Sequence, residues 1–156
     1  MSTRRQFLAL AGGLVAAAGA QAQLPPGVVA TRRAALEEAI RRVTDGAPLR
    51  SGRVTIAIPP LIDNGNSVPV SVSVESPMSA RDHVRSIFVF TERNPQPNVI
   101  GMRLGPRAGR AHVATRARIA DSGEVIAVAQ MSDGTFWSER VSVVVTLSAC
   151  LEDGLI

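Results

Sequence analysis

Cys150 is the single cysteine of this 156-residue chain, six residues short of the terminal Ile156. His83 and His112 are the only histidines that could activate it or join it at a metal. A thiol–disulfide oxidoreductase normally resolves its mixed disulfide with a second cysteine, and none exists. A cysteine hydrolase needs a histidine base, and neither histidine stands in a recognisable catalytic context. No His/Cys cluster has ligand spacing, so no metal or cofactor is expected and the histidines read as surface or internally satisfied groups. Two readings of the thiol remain. It is either a small buried hydrophobe or a reactive group that takes a covalent cargo.

The arm that holds it is short: Ser148 and Ala149 precede Cys150, and Leu151 and Glu152 follow. What positions that arm is the segment before it. Val141, Val143, Val145 and Leu147 alternate with polar or exposed positions, so a strand with one face in a core leads straight to the thiol. A chain end of this kind moves with few contacts broken and suits a group that must enter a partner's site.

The first residues read as an export signal. Arg4-Arg5 sits in a twin-arginine pattern, the apolar run from Phe7 to Ala20 follows, and Ala20-Gln21-Ala22 offers a small-residue cleavage site. The run is shorter than the roughly 20 residues that a membrane-crossing helix needs. The expectation is a leader over residues 1–22, a domain over residues 23–147 and an arm over residues 148–156, with a mature form that is periplasmic and free of the membrane. An exported protein usually pairs its cysteines, which makes an unpaired one notable.

Every one of the 17 basic residues is arginine. Removing the leader leaves only a small positive surplus, too little to argue for nucleic acid, and the arginines are scattered along the sequence. Arg110, Arg116 and Arg118 alternate along one strand and read as a solvated face, or else as an anion-steering strip. The mature chain is long enough for one domain with a core built from Val, Ile, Ala and Leu.

Pro25 to Gly27 reads as a linker. Leu36, Ala39, Ile40 and Val43 recur at helical spacing within Thr31–Val43, with Thr31 as a possible N-cap and Asp45-Gly46 as the stop. Beyond Arg53 the period changes to two. Val54, Ile56 and Ile58 form one set, and Val68, Val70, Val72 and Val74 form another after the turn at Asp63-Asn64-Gly65-Asn66. Five more strands are expected over residues 86–92, 99–104, 110–119, 124–131 and 135–147. Seven strands at this rhythm give an all-β fold, an immunoglobulin-like antiparallel sandwich with an N-terminal helix and a C-terminal cysteine arm, or a small barrel. Phe136, Trp137, Phe88 and Phe90 are expected to anchor the sandwich core.

The order of these features resembles the SoxY family of sulfur carriers in thiosulfate oxidation. The residues concerned are the twin-arginine leader, Asn64-Gly65-Asn66 through Val68-Pro69-Val70, Ser76-Pro77-Met78, Asn94-Pro95, Ala127-Val128-Ala129, Met131-Ser132-Asp133-Gly134 with Phe136, and the Val-rich strand leading to Cys150. The resemblance implies a carrier and not an enzyme, with sulfur intermediates attached at Cys150. It also implies a heterodimer with a SoxZ-like subunit, and visits to periplasmic sulfur-oxidising enzymes and a c-type cytochrome. The arm departs from the usual Gly-Gly-Cys-Gly-Gly and looks like a SoxY-related branch with an Ala-Ala-Cys-Ile-Glu type of arm.

That departure has physical consequences. Ala149, Leu151 and Glu152 restrict the backbone and widen the arm where glycine would leave it slim. Glu152 and Asp153 disfavour the thiolate and repel anions. The alternative function is a non-catalytic binding module that pairs with a SoxZ-like subunit, Cys150 being incidental or forming an intermolecular disulfide.

Overall fold

The computed structural model describes residues 24–147. The expected leader and the arm residues Ser148, Ala149, Cys150, Leu151 and Glu152 lie outside the described residues.

Helix α1 spans Pro26–Thr44 and starts earlier than the apolar spacing suggested. Pro26 occupies the first turn, where its missing N–H costs nothing, so the expected linker is helix from its second residue. Thr31 is not the cap; its hydroxyl donates to the Gly27 carbonyl at 3.0 Å, one turn back inside the helix. The stop is where it was expected. Asp45 adopts a left-handed conformation (φ 50°), and the Gly46 N–H closes on the Arg41 carbonyl at 3.1 Å.

Nine strands follow among the described residues: β1 (Leu49–Arg50), β2 (Val54–Ala57), β3 (Leu61–Asn64), β4 (Val68–Val74), β5 (Val84–Thr91), β6 (Asn98–Arg103), β7 (Ala111–Ala117), β8 (Gly123–Met131) and β9 (Phe136–Leu147). They form two sheets. The larger runs β1-β9-β8-β5-β6, and the smaller runs β2-β4-β7. The expected sandwich is therefore present, with alternate valines of β4 (Val68, Val70, Val72, Val74) buried against the larger sheet.

Two of the nine strands had no alternation signal, because β1 and β3 are short and pair in parallel with distant residues of β9. Leu49 and Arg50 align with Phe136 and Trp137, while Leu61, Ile62 and Asn64 align with Val144, Val145 and Leu147. Between those contacts the chain crosses to the smaller sheet as β2 and returns through Pro59-Pro60. The crossing is tied at both sides: the Ile56 N–H donates to the Glu139 carboxylate, and the Val144 N–H to the Pro60 carbonyl at 2.9 Å.

The larger sheet is buried on both faces. One face meets the smaller sheet; on the other, Leu36 and Ile40 of α1 pack on Phe90, Ile126, Val128 and Phe136. Phe90 and Phe136 therefore anchor the helix layer and not the sandwich interior, and Phe88 is half-buried beside them. Because neighbouring strand residues point to opposite faces, Trp137 lies on the other side from Phe136. It packs against the sandwich core and carries the guanidinium groups of Arg53 and Arg50 at 5.2 Å and 5.9 Å from its ring centre.

The turn between β8 and β9 is fixed by Asp133. Its carboxylate accepts from the Thr135 hydroxyl at 2.7 Å and the Thr135 N–H at 2.9 Å, while Gly134 takes φ 83°. The hydroxyl bond is the largest cause holding the Asp133 carboxyl below its ordinary value of 3.8, with Arg50 and Arg53 adding smaller contributions. A lowered folded-state pKa stabilises the fold above the unfolded value and is lost as pH falls through the lowered one. Thr135→Val should raise the Asp133 titration towards 3.8, read by carboxyl chemical shifts against pH. An unchanged midpoint would mean that the hydroxyl does not hold the carboxylate.

Candidate functional site

The end of β9 is the last described part of the chain before Cys150, and its anchoring decides how firmly an arm is mounted. Val143 and Val145 are buried in the sandwich, while Leu147 is 65 % exposed. Strand β3 pairs with this end on one edge and the start of β8 on the other.

Side chains complete the anchorage. The Val145 N–H donates to the Ser122 hydroxyl at 2.8 Å. The Thr146 hydroxyl donates to the Asp63 carbonyl at 3.1 Å and reaches the Ile62 carbonyl at 3.3 Å. The Gly65 N–H donates to the Leu147 carbonyl at 3.1 Å, and the Gly65 carbonyl accepts from the Ile119 N–H at 2.8 Å. The turn itself is held by the Asn64 side-chain oxygen, which accepts from the Asn66 N–H at 2.9 Å and the Asn66 amide at 3.0 Å. Backbone groups at the close of β9 are thus satisfied on both sides.

Asn94 locks the neighbouring loop. Its amide donates to the Arg118 carbonyl and its oxygen accepts from the Ala120 N–H, both at 2.8 Å. Arg32 of α1 donates to the Arg93 carbonyl at 2.5 Å, which ties the helix to the same loop.

Cys150 follows Leu147 by three residues, a contour of about 10 Å at full extension. The thiol, its flanking Ser148, Ala149, Leu151 and Glu152, and their surroundings lie outside the described residues. What the structure places is the rim from which that contour starts. Leu61 and Val144 form a cross-strand pair there, exposed at 58 % and 55 %. Arg116 donates to the Ser67 carbonyl at 3.0 Å, putting a cation beside the turn that holds Leu147. Asp63 is exposed in β3, just before that turn, so the rim carries both signs of charge.

The arginine strip is real as a geometric feature. Arg110, His112, Arg116 and Arg118 are all exposed along β7 and its flanks. Only its Arg116–Arg118 end is near the arm's origin; Arg110 precedes the opposite end of the strand. His112 bonds to the Ser73 hydroxyl at 2.9 Å, and His83 lies 3.1 Å from the Ser79 carbonyl. Both are surface groups with local partners, placed towards the strand ends away from Leu147. Among the described residues no group of three or more His, Cys, Asp or Glu side chains could hold a metal ion.

Sequence reasoning singled out the strand and the Asn64-Gly65-Asn66 turn but missed Ser122 and Thr146 as anchors. Ser122 lies in the bend just before β8. Its bond to Val145 depends on a long-range register that no local pattern encodes.

Comparison with known proteins identifies what shares this frame. Residues 40–150 match the family model described as sulfur oxidation protein SoxY. The sulfur carrier protein SoxY from Chlorobium limicola f thiosulfatophilum superposes with a TM-score of 0.62 at 27 % identity, over 73 % of this chain and 98 % of that one. A superoxide reductase (neelaredoxin) from Ignicoccus hospitalis gives a TM-score of 0.53 at 20 % identity, over 60 % of this chain and 80 % of that one. A putative superoxide reductase from Thermotoga maritima gives 0.52 at 20 %, over 63 % and 87 %. At that identity the reductases share the fold alone. No curated protein sequence matches this chain significantly.

The anchorage can be tested without the thiol. Ser122→Ala leaves the buried Val145 N–H without its acceptor, at a cost of about 1–3 kcal/mol. Amide exchange should then speed up over residues 143–147 while β5 stays protected. Unchanged exchange at the end of β9 would show that Ser122 does not mount the arm.

Proposed function

Because this chain belongs to the SoxY family of sulfur-oxidation carriers, we propose that it holds a sulfur intermediate covalently on Cys150 and presents it to other proteins. The observation that supports this most is the firmly bonded end of β9 three residues ahead of the chain's only cysteine, within a family match that runs to residue 150. A rigid base and a short arm let the domain stay outside a partner while the thiol enters it.

The chemistry asked of this chain is small. Its thiolate sulfur bonds to a sulfur of the cargo, thiosulfate being the reference case. Joining the two removes two electrons, which pass to a c-type cytochrome partner, and the thiol proton goes to solvent. Other enzymes then oxidise and release the cargo, so the chain is a carrier and not a catalyst. It works in the periplasm after twin-arginine export, with residues 1–22 removed, and it pairs with a SoxZ-like subunit.

Ser148, Ala149, Leu151 and Glu152 set which enzymes admit the arm. Their side chains make it broader and stiffer than a glycine arm, and Glu152 puts a carboxylate two residues from the sulfur. The proposal is therefore a carrier whose docking enzymes accept a bulkier, more acidic arm.

Cys150→Ser should abolish electron transfer from the sulfur compound in a reconstituted system, since no other thiol exists in the chain to replace it. Binding of the SoxZ-like subunit should persist. Undiminished electron transfer by the serine variant would reduce the protein to a binding module.

A further inference from the structure

Strand β2 lies by β9, and that side of the sandwich is closed by β1 and β3 along β9. At the far end of the larger sheet β6 is the edge strand, and β7 is an edge strand of the smaller one. No described strand pairs the outer edge of β6 or of β7.

An open edge invites pairing, and natural sheets usually blunt it with charge or proline on the strand. β6 is not blunted. Asn98, Val99, Ile100, Gly101 and Met102 carry no charge and no proline, and only Arg103 at the end is charged. Val99 and Ile100 pack against the core from within, and Met102 is 39 % exposed.

Charge gathers at and beyond the C-terminal end of β6 instead. From Arg93 to Ala120 the chain holds six arginines and no carboxylate. Arg103, Arg107 and Arg110 make no ion pair among the described residues, and all three are exposed. In an antiparallel pairing of two copies the Arg103 end of one strand would lie against the Asn98 end of the other, and these guanidiniums would meet no carboxylate on it. Their uncompensated positive field favours a strand flanked by carboxylates.

We propose that β6 is the docking edge for a partner protein, which adds an extended, carboxylate-bearing strand to the larger sheet while its acidic side chains meet Arg103, Arg107 and Arg110. This is β-augmentation, in which main-chain bonds supply the registration and side chains supply selectivity. The edge lies across the larger sheet from β9, so a partner seated there leaves the arm's origin uncovered. The inference rests on the heterodimer part of the proposed function and is independent of the thiol chemistry.

The test uses the mature chain and the SoxZ-like subunit, co-expressed and then titrated in solution. With Arg103→Glu, Arg107→Glu and Arg110→Glu combined, affinity should fall by about 100-fold at low salt, and the salt dependence of binding should flatten. Amide exchange of the wild-type complex should show new protection over residues 98–103. These arginines are exposed, so the variant should melt with the wild type, and Met102→Lys serves as a second probe of the edge. Equal affinity of wild type and the charge-reversed variant overturns the edge while leaving the heterodimer intact, as does protection confined to another surface. Absence of binding by the wild type overturns both.

Discussion

Strand β8 has no solvent face along its centre, and this burial is the constraint on which the other layers depend. Val125, Ile126, Ala127, Val128 and Ala129 are all fully buried. The odd positions face the smaller sheet and the even ones face α1, so a single strand belongs to two cores at once. An uninterrupted apolar run is tolerable only when both faces are covered. The helix therefore has to pack where it does, and β5 and β9 must flank β8 to satisfy its backbone. β9 inherits its fixed position from that requirement, and the arm inherits its origin from β9.

Much of this was legible because it is local. Alternating valines marked β4 and the end of β9, and Asp45-Gly46 marked the end of α1. The helix start was misread because Thr31 resembles a cap, whereas Pro26 in a first turn needs no side-chain cap. The two short parallel strands were invisible, since β1 and β3 draw their stability from partners more than eighty residues away. The aromatic residues were assigned to one core because two were not foreseen. The Val-Ile-Ala-Val-Ala run of β8 was the available signal, for a sandwich strand with one wet face would have alternated.

The candidate site divides in the same way. Elimination in a chain with one cysteine and two histidines left the thiol as a buried hydrophobe or a reactive group, and the strand before it was legible by its period. Its mounting was not, because Ser122, Thr146 and Gly65 act through tertiary register. On the proposed reading the arrangement separates two tasks: the fixed end of β9, from which Cys150 is presented, and the open edge of β6, with arginines beyond its end. Superoxide reductases share the frame at 20 % identity. The sandwich itself thus says little about chemistry, which lives in what is grafted on it.

The central claim is that Cys150 carries a covalent sulfur cargo, and the intact mass of the protein isolated from its native periplasm tests it most directly. The expected result is a chain starting near Gln23 with a sulfur-containing adduct that maps to the Cys150 peptide and disappears on reduction. A bare thiol in protein drawn from cells actively oxidising sulfur compounds would contradict it.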